Sequence, residues 1–218
     1  IRTNIFKYNN LELCEHLLIL CKENLSKELN KLKIIIEINI IKDNYKTFEY
    51  AEFCLIKSII SCTQNNSSNA LKYLNETIEI AFENRQIGEK KHKIECLLND
   101  CIRISKIKII QTENDFCLSL ARIGKVLYWI DLSFKSKSIL LKALNISEFK
   151  FGFEHINTGV VIFELGTLYF SNLANPEKGK NYLINCITIY CKSSPNDFAK
   201  ISEALRNLGT AYWILGDY

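Results

Sequence analysis

An apolar residue followed directly by glycine occurs three times in the second half of the chain, at nearly equal spacing. The pairs are Ile123-Gly124, Leu165-Gly166 and Leu208-Gly209, which lie 42 and 43 residues apart. A tyrosine follows each glycine within four residues, at Tyr128, Tyr169 and Tyr212. A recurrence with this period is typical of proteins built from stacked helical units.

A second pattern follows the turn after each unit's first helix: a small residue, a large residue four positions later, and a small residue three positions after that. The sets are Ser136, Leu140 and Ala143; Gly179, Leu183 and Cys186; and, earlier in the chain, Ala70, Leu74 and Thr77. Small residues in both helices let their backbones approach closely, and the large side chains fill the gaps beside them. One such pair cannot cover its own apolar face, so neighbouring pairs must stack on it.

Helical periodicity extends over almost the whole chain. Apolar residues recur at three- and four-residue spacing, as in the stripe Ile94, Leu97 and Cys101. With short polar breaks between the stripes, this predicts an all-α protein whose successive helices pack antiparallel. The predicted helices span 8–24, 27–43, 45–62, 67–84, 88–110, 114–130, 134–146, 151–171, 176–191 and 197–215.

The motif Leu-Gly-x-x-Tyr, a Gly-Asp-Tyr turn and the small-large-small pattern together resemble the tetratricopeptide repeat (TPR). The spacing near 42 residues is similar to the longer-period variety of kinesin light chains and related cargo adaptors. The resemblance covers about the last half of the chain, from residue 114 onward. It implies an antiparallel helix-pair solenoid that winds as a right-handed superhelix.

By this resemblance, an N-terminal helical hairpin at 1–44 is followed by one continuous solenoid at 45–218. The solenoid has five parts. The repeats span 45–84, 114–147 and 151–191, with an incomplete repeat at 197–218. The first of them carries Ser58 where glycine is expected. Helix 88–110 does not fit the alternation: it is either an extra, unpaired helix or part of a repeat whose second helix is not recognised.

The last residues, Asn207 to Tyr218, read as the first helix of another repeat and the start of its turn. We therefore expect the natural protein to continue. Apolar residues on the last helix, such as Ile214 and Leu215, would then be exposed in this chain and favour self-association.

Composition argues against several function classes. The 28 basic and 24 acidic residues are interspersed, without the basic stripe of a nucleic-acid-binding protein. No apolar run approaches the length of a membrane span. The nine cysteines contain no Cys-x-x-Cys, which favours free thiols in a reducing cytoplasm over disulfides or zinc. Neither nucleotide-binding nor nucleophile motifs occur, so we expect no enzyme, cofactor or metal.

The resemblance also implies a binding surface, because the first helices of such repeats line a concave groove that takes a partner peptide. The positions that match are Arg122, Lys125, Trp129, Thr167, Phe170, Arg206, Asn207, Thr210 and Trp213. Asn207 matches the asparagine that bonds a peptide backbone in the family, whereas Arg122 and Glu164 stand at its equivalent positions. Two competing interpretations are that the tryptophans pack between repeats and that Arg122 and Lys125 are merely solvated.

The function expected from these features is a protein-interaction scaffold or adaptor. Its groove would bind an acidic or aromatic-bearing segment of a partner protein. The alternative is a regulatory sensor domain that binds a small signalling peptide and changes its superhelix shape. Binding of single-stranded RNA is disfavoured by the weak charge and by the repeat period.

Overall fold

The computed structural model describes residues 47–85, 91–107, 110 and 115–216. These residues form eight α-helices and no β-strand, which confirms the all-α class. The predicted hairpin at 1–44 lies outside the described residues. The helices are α1 (Phe48–Thr63), α2 (Ser67–Glu83), α3 (Lys91–Ile104), α4 (Phe116–Trp129), α5 (Ser133–Phe151), α6 (Ile156–Ser171), α7 (Pro176–Ser193) and α8 (Phe198–Leu215).

The chain separates into two compact units, Ile1–Glu113 and Asn114–Tyr218. In the first unit α1 and α2 form a packed pair, and α3 packs against both of them. The helix predicted at 88–110 therefore ends earlier, at Ile104, and lies on the pair that precedes it. Its end is a series of tight turns in which the N–H groups of Ile107 and Ile110 donate to carbonyls three residues back.

Close backbone approach holds α1 to α2, as the small residues in both helices predict. The Ser58 hydroxyl donates a 2.7 Å hydrogen bond across the pair to the Ala70 carbonyl. The Thr77 hydroxyl shares its proton between the Ala51 carbonyl across the pair, at 3.2 Å, and the Tyr73 carbonyl of its own helix, at 3.1 Å. Ser58 occupies the position where the later repeats carry glycine. It still allows close packing, because its hydroxyl is hydrogen-bonded to the backbone of the neighbouring helix.

The second unit contains two such pairs, α4 with α5 and α6 with α7, followed by α8. Each pair packs on the next: α5 and α4 contact α6, and α8 packs chiefly on α7. The predicted contacts between glycine and leucine are present. A Cβ at Gly124 would lie 2.6 Å from Leu140, and one at Gly166 would lie 2.9 Å from Leu183.

The turns after α1, α4 and α6 share a backbone feature that the sequence patterns do not show. Each contains one non-glycine residue with positive φ: Asn65 (56°), Asp131 (62°) and Ala174 (48°). Each follows the close-contact residue of its first helix, Ser58, Gly124 or Gly166, by seven or eight positions. The pair α1–α2 is therefore built like the pairs of the second unit, although its sequence match is weaker.

The boundary between α5 and α6 differs from the predicted one. Helix α5 continues to Phe151 instead of ending near residue 146, and α6 begins at Ile156 instead of 151. Gly152, with φ of 88°, ends α5 in a conformation that suits glycine. The Thr158 hydroxyl then donates to the Gly152 carbonyl at 2.8 Å, and the His155 ring nitrogen accepts the N–H of Asn157 to cap α6.

Candidate functional site: the shared face of α4, α6 and α8

The first helices of the second unit, α4, α6 and α8, lie next to one another, with α4 on α6 and α6 on α8. Positions six and two before the glycine, and one and five after it, form one stripe on each helix, since they recur at helical spacing. We call these twelve positions the shared face. They are Leu118, Arg122, Lys125 and Trp129 on α4; Val160, Glu164, Thr167 and Ser171 on α6; and Glu203, Asn207, Thr210 and Ile214 on α8.

A buried carboxylate occupies the middle of this face. Glu164 of α6 accepts a 2.8 Å hydrogen bond from the Tyr128 hydroxyl and pairs with the Lys125 ammonium at 3.4 Å. Both partners belong to α4, so this cluster joins two successive repeats through polar contacts. Asn172, just after α6, adds a third contact by donating its amide to the Tyr128 carbonyl at 3.2 Å.

Burial sets the protonation behaviour of this cluster. Removal from water raises the pKa of the Glu164 carboxyl above its ordinary value of 4.5, and Lys125 and Tyr128 only partly oppose that shift. The negative charge of Glu203 on α8 also raises it. Burial and the adjacent Glu164 likewise raise the pKa of the Tyr128 hydroxyl, which therefore stays a hydrogen-bond donor.

A second polar contact joins α6 to α8. The Asn207 side-chain amide donates to the Thr167 hydroxyl at 3.1 Å, and that hydroxyl donates to the Phe163 carbonyl at 3.0 Å within its own helix. Asn207, which the resemblance implies is a ligand of a peptide backbone, thus has a partner within the chain itself. A bound peptide would have to share this amide or displace Thr167.

Six of the nine predicted site residues lie on the shared face. Trp129 is half exposed at 50%, and Arg122 and Thr210 are also exposed. The other three of the six are Lys125, Thr167 and Asn207, which make the polar contacts described above.

The remaining three, Phe170, Arg206 and Trp213, stand at different positions relative to the glycine. Phe170 packs on the second helix of its own pair, since a Cβ at Gly179 would lie 2.8 Å from its Cβ. Trp213 holds the same register on α8 and is 68% exposed. Arg206, also exposed, corresponds to Phe163, which is buried in α6. Whether any of the nine residues binds a ligand stays a prediction.

Sequence reasoning did not select Glu164, Tyr128 or Glu203. The sequence did contain a signal for Glu164, because Glu164 lies two residues before the glycine of α6, as Asn207 lies two residues before the glycine of α8. Its partners were not evident, because Tyr128 is one position out of register with Tyr169 and Tyr212. That shift places the Tyr128 hydroxyl against the next repeat.

Five of the seven cysteines in the described ranges are packed inside the protein, whereas Cys96 and Cys191 are exposed. Cys54, Cys62, Cys101, Cys117 and Cys186 are buried free thiols. Burial raises the pKa of Cys62 to about 11 and that of Cys186 to about 12, so neither forms a reactive thiolate at neutral pH. Across these ranges His, Cys, Asp and Glu side chains form no cluster suited to hold a metal ion.

The fold and this face define the class of the protein: an α solenoid of helical repeats. None of the helices in the described parts of the chain has both the length and the apolarity needed to cross a bilayer.

The comparisons with known proteins agree at the level of the fold. The chain is similar to the crystal structure of BtubC (BKLC) from P. vanneervenii, with a TM-score of 0.53 and 13% sequence identity over 94% of this chain and 85% of that one. No protein-family description matches the sequence. A search of curated proteins likewise gives no match. A likeness at this identity supports a helical-repeat fold and carries no function with it.

Proposed function

We propose that this chain is a long-period TPR-type protein that acts as a scaffold or adaptor, with the shared face of α4, α6 and α8 as its peptide-binding surface. The observation that carries the proposal is the in-register stripe on three adjacent helices. It combines a half-exposed tryptophan with exposed polar and charged side chains, which is the composition of protein-binding surfaces.

The charges on the shared face refine the kind of segment it would take. Arg122 is exposed on the shared face, where its guanidinium can meet an acidic partner residue. It lies two turns before Trp129 on the same helix stripe. A short segment with a carboxylate and an aromatic or apolar side chain, about two helical turns apart, matches this pair.

A peptide-display selection tests the proposal. Peptides would be selected on the 218-residue chain and their affinities measured by fluorescence anisotropy. The variant Arg122→Glu with Thr210→Glu should weaken binding of the selected acidic peptides by tenfold or more, about the effect of reversing one interfacial charge. The control Lys142→Glu with Ser138→Glu makes the same change in net charge on exposed positions of α5 and should leave affinity unchanged.

Equal loss in both variants would show a nonspecific charge effect and would refute binding at this face. The alternative function, a sensor of a small signalling peptide, predicts in addition that the selected peptide changes the radius of gyration measured by small-angle X-ray scattering. For a scaffold we expect no change. We also propose a cytoplasmic location and a non-enzymatic role, supported by the buried free thiols and by a face with no nucleophile-base pair among its twelve residues.

A further inference from the structure

The outer side of α5 is exposed from one end of the helix to the other. It lies opposite the buried side, which carries Leu140 and Ala143 and packs on α4. At about 100° per residue, the exposed positions fall within an arc of about 100°. We call these six positions the outer face. They are Phe134, Lys135, Ser138, Lys142, Asn145 and Phe149.

An exposed aromatic ring stands near each end of the outer face. Phe149 is 95% exposed and Phe134 is 83% exposed. At a rise of about 1.5 Å per residue, the two residues lie about 22 Å apart along the helix. Phe153, just after α5, is also half exposed.

The second helices of the other pairs, α2 and α7, carry polar residues at both positions. The correspondence is counted from the central leucine of each helix. Phe134 corresponds to Ser68 and Glu177, and Phe149 corresponds to Glu83 and Lys192. The repeat therefore requires no aromatic ring at either position, and packing within the chain does not account for the two rings.

The charge of the outer face is positive. Lys135 and Lys142 belong to it, and none of its six residues is acidic. Helix α5 as a whole contains four lysines and one glutamate, the half-buried Glu148. Glu154, next to Phe153 in the chain, is paired with the Lys192 ammonium at 2.6 Å. An anionic surface therefore complements the outer face.

The combination of exposed rings and lysines on one helix face is typical of helices that lie in the interface of a membrane. We propose that the outer face of α5 docks on an anionic lipid surface, with the rings of Phe134 and Phe149 inserted among the headgroups. Two rings so far apart suit a fluid lipid surface, because it admits each ring separately, whereas a protein would need two matching pockets. The lysine ammoniums then meet the headgroup phosphates.

Co-sedimentation with vesicles tests the contribution of charge. The wild type should bind vesicles of phosphatidylcholine with phosphatidylglycerol at least about tenfold more tightly than vesicles of phosphatidylcholine alone, and salt should weaken that binding. Ser138→Glu with Lys142→Glu should weaken it at least about tenfold. Arg122→Glu with Thr210→Glu makes the same change in net charge on the shared face and should bind as the wild type does. The two double variants thus exchange the roles they have in the peptide assay.

Substitution of the rings tests insertion. Phe134→Gln with Phe149→Gln should weaken binding to the anionic vesicles at least about tenfold, the effect of withdrawing two apolar side chains from the lipid. Phe198→Gln with Trp213→Gln removes two rings of α8 that are 73% and 68% exposed, and it should leave binding unchanged. Because all four rings are exposed, both variants should show the wild-type helix content in far-ultraviolet circular dichroism.

Three results would overturn the proposal. One is a wild-type chain that binds neither kind of vesicle or both equally. The second is an equal loss of vesicle binding in the α5 and α8 ring variants, and the third is an equal loss in the two charge variants. If a protein binds through Phe134 and Phe149 while vesicles do not bind, the outer face is a protein interface instead.

Discussion

The contrast between two helical glycines, Gly179 and Gly209, tests the packing argument directly. A Cβ at Gly179 would lie 2.8 Å from both the Cβ and the backbone nitrogen of Phe170, and 2.9 Å from the Gly166 carbonyl oxygen. Two of these atoms belong to the backbone and cannot rotate away. To accept alanine there, α6 and α7 would have to separate by roughly half an ångström along much of their contact.

The expected magnitudes follow from two opposing effects. Alanine gains about 1 kcal/mol over glycine inside a helix. Overpacking at a site of this kind costs about 1–3 kcal/mol. Gly179→Ala should therefore lower the free energy of unfolding by about 0–2 kcal/mol once the two effects combine. Gly209→Ala meets nothing within 4 Å and should raise it by about 0.5–1 kcal/mol.

Urea denaturation followed by tryptophan fluorescence is the appropriate assay, because both tryptophans, Trp129 and Trp213, lie in the second unit. Low protein concentration keeps association from stabilising one variant over the other. If Gly179→Ala raises stability as much as Gly209→Ala does, the close-approach argument is refuted. Equal destabilisation by both substitutions would contradict the open space that the structure shows beside Gly209.

Three further predictions concern the buried polar groups. The raised pKa of Glu164 means that the folded state holds a proton more tightly than the unfolded state. The free energy of unfolding should thus fall as pH rises from about 4.5, the pKa of Glu164 in the unfolded chain, through its pKa in the folded protein. Denaturation measured across this pH range should show the fall in the wild type and not in Glu164→Gln. Ser58→Ala and Ser136→Ala should each cost about 1 kcal/mol, because each hydroxyl bonds a carbonyl of the paired helix; an unchanged melting midpoint would contradict this. Thiol labelling of the folded protein, followed by mass spectrometry of its peptides, should modify the exposed Cys96 and Cys191 quickly. The buried thiols should react slowly; they are Cys54, Cys62, Cys101, Cys117 and Cys186.

The fold was predictable from the sequence because local patterns agree with the packing they produce. The glycine and leucine positions of α4 to α7 were chosen from spacing alone, and the same residues contact one another in the structure. The boundary at Gly152 was missed because the polar residues Ser147 and Glu148 interrupt the apolar pattern before the helix ends, and no proline marks the turn. The end of α3 was missed for the opposite reason: apolar periodicity persists in Ile107, Ile109 and Ile110 after the helix has ended at Ile104.

The candidate site was less predictable from the sequence. The partners of its side chains lie on neighbouring helices, and only the folded structure shows which residues come within contact distance. Lys125 looked like a cation available to a ligand, yet it pairs with Glu164, 39 residues away in the chain. Trp213 looked equivalent to Trp129, but it stands one position closer to its glycine, and in a helix one position rotates a side chain by about 100°. That rotation moves Trp213 off the shared face, to a side of α8 where it is 68% exposed. The two tryptophans therefore belong to different surfaces, so Trp129→Ala should weaken peptide binding and Trp213→Ala should leave it unchanged.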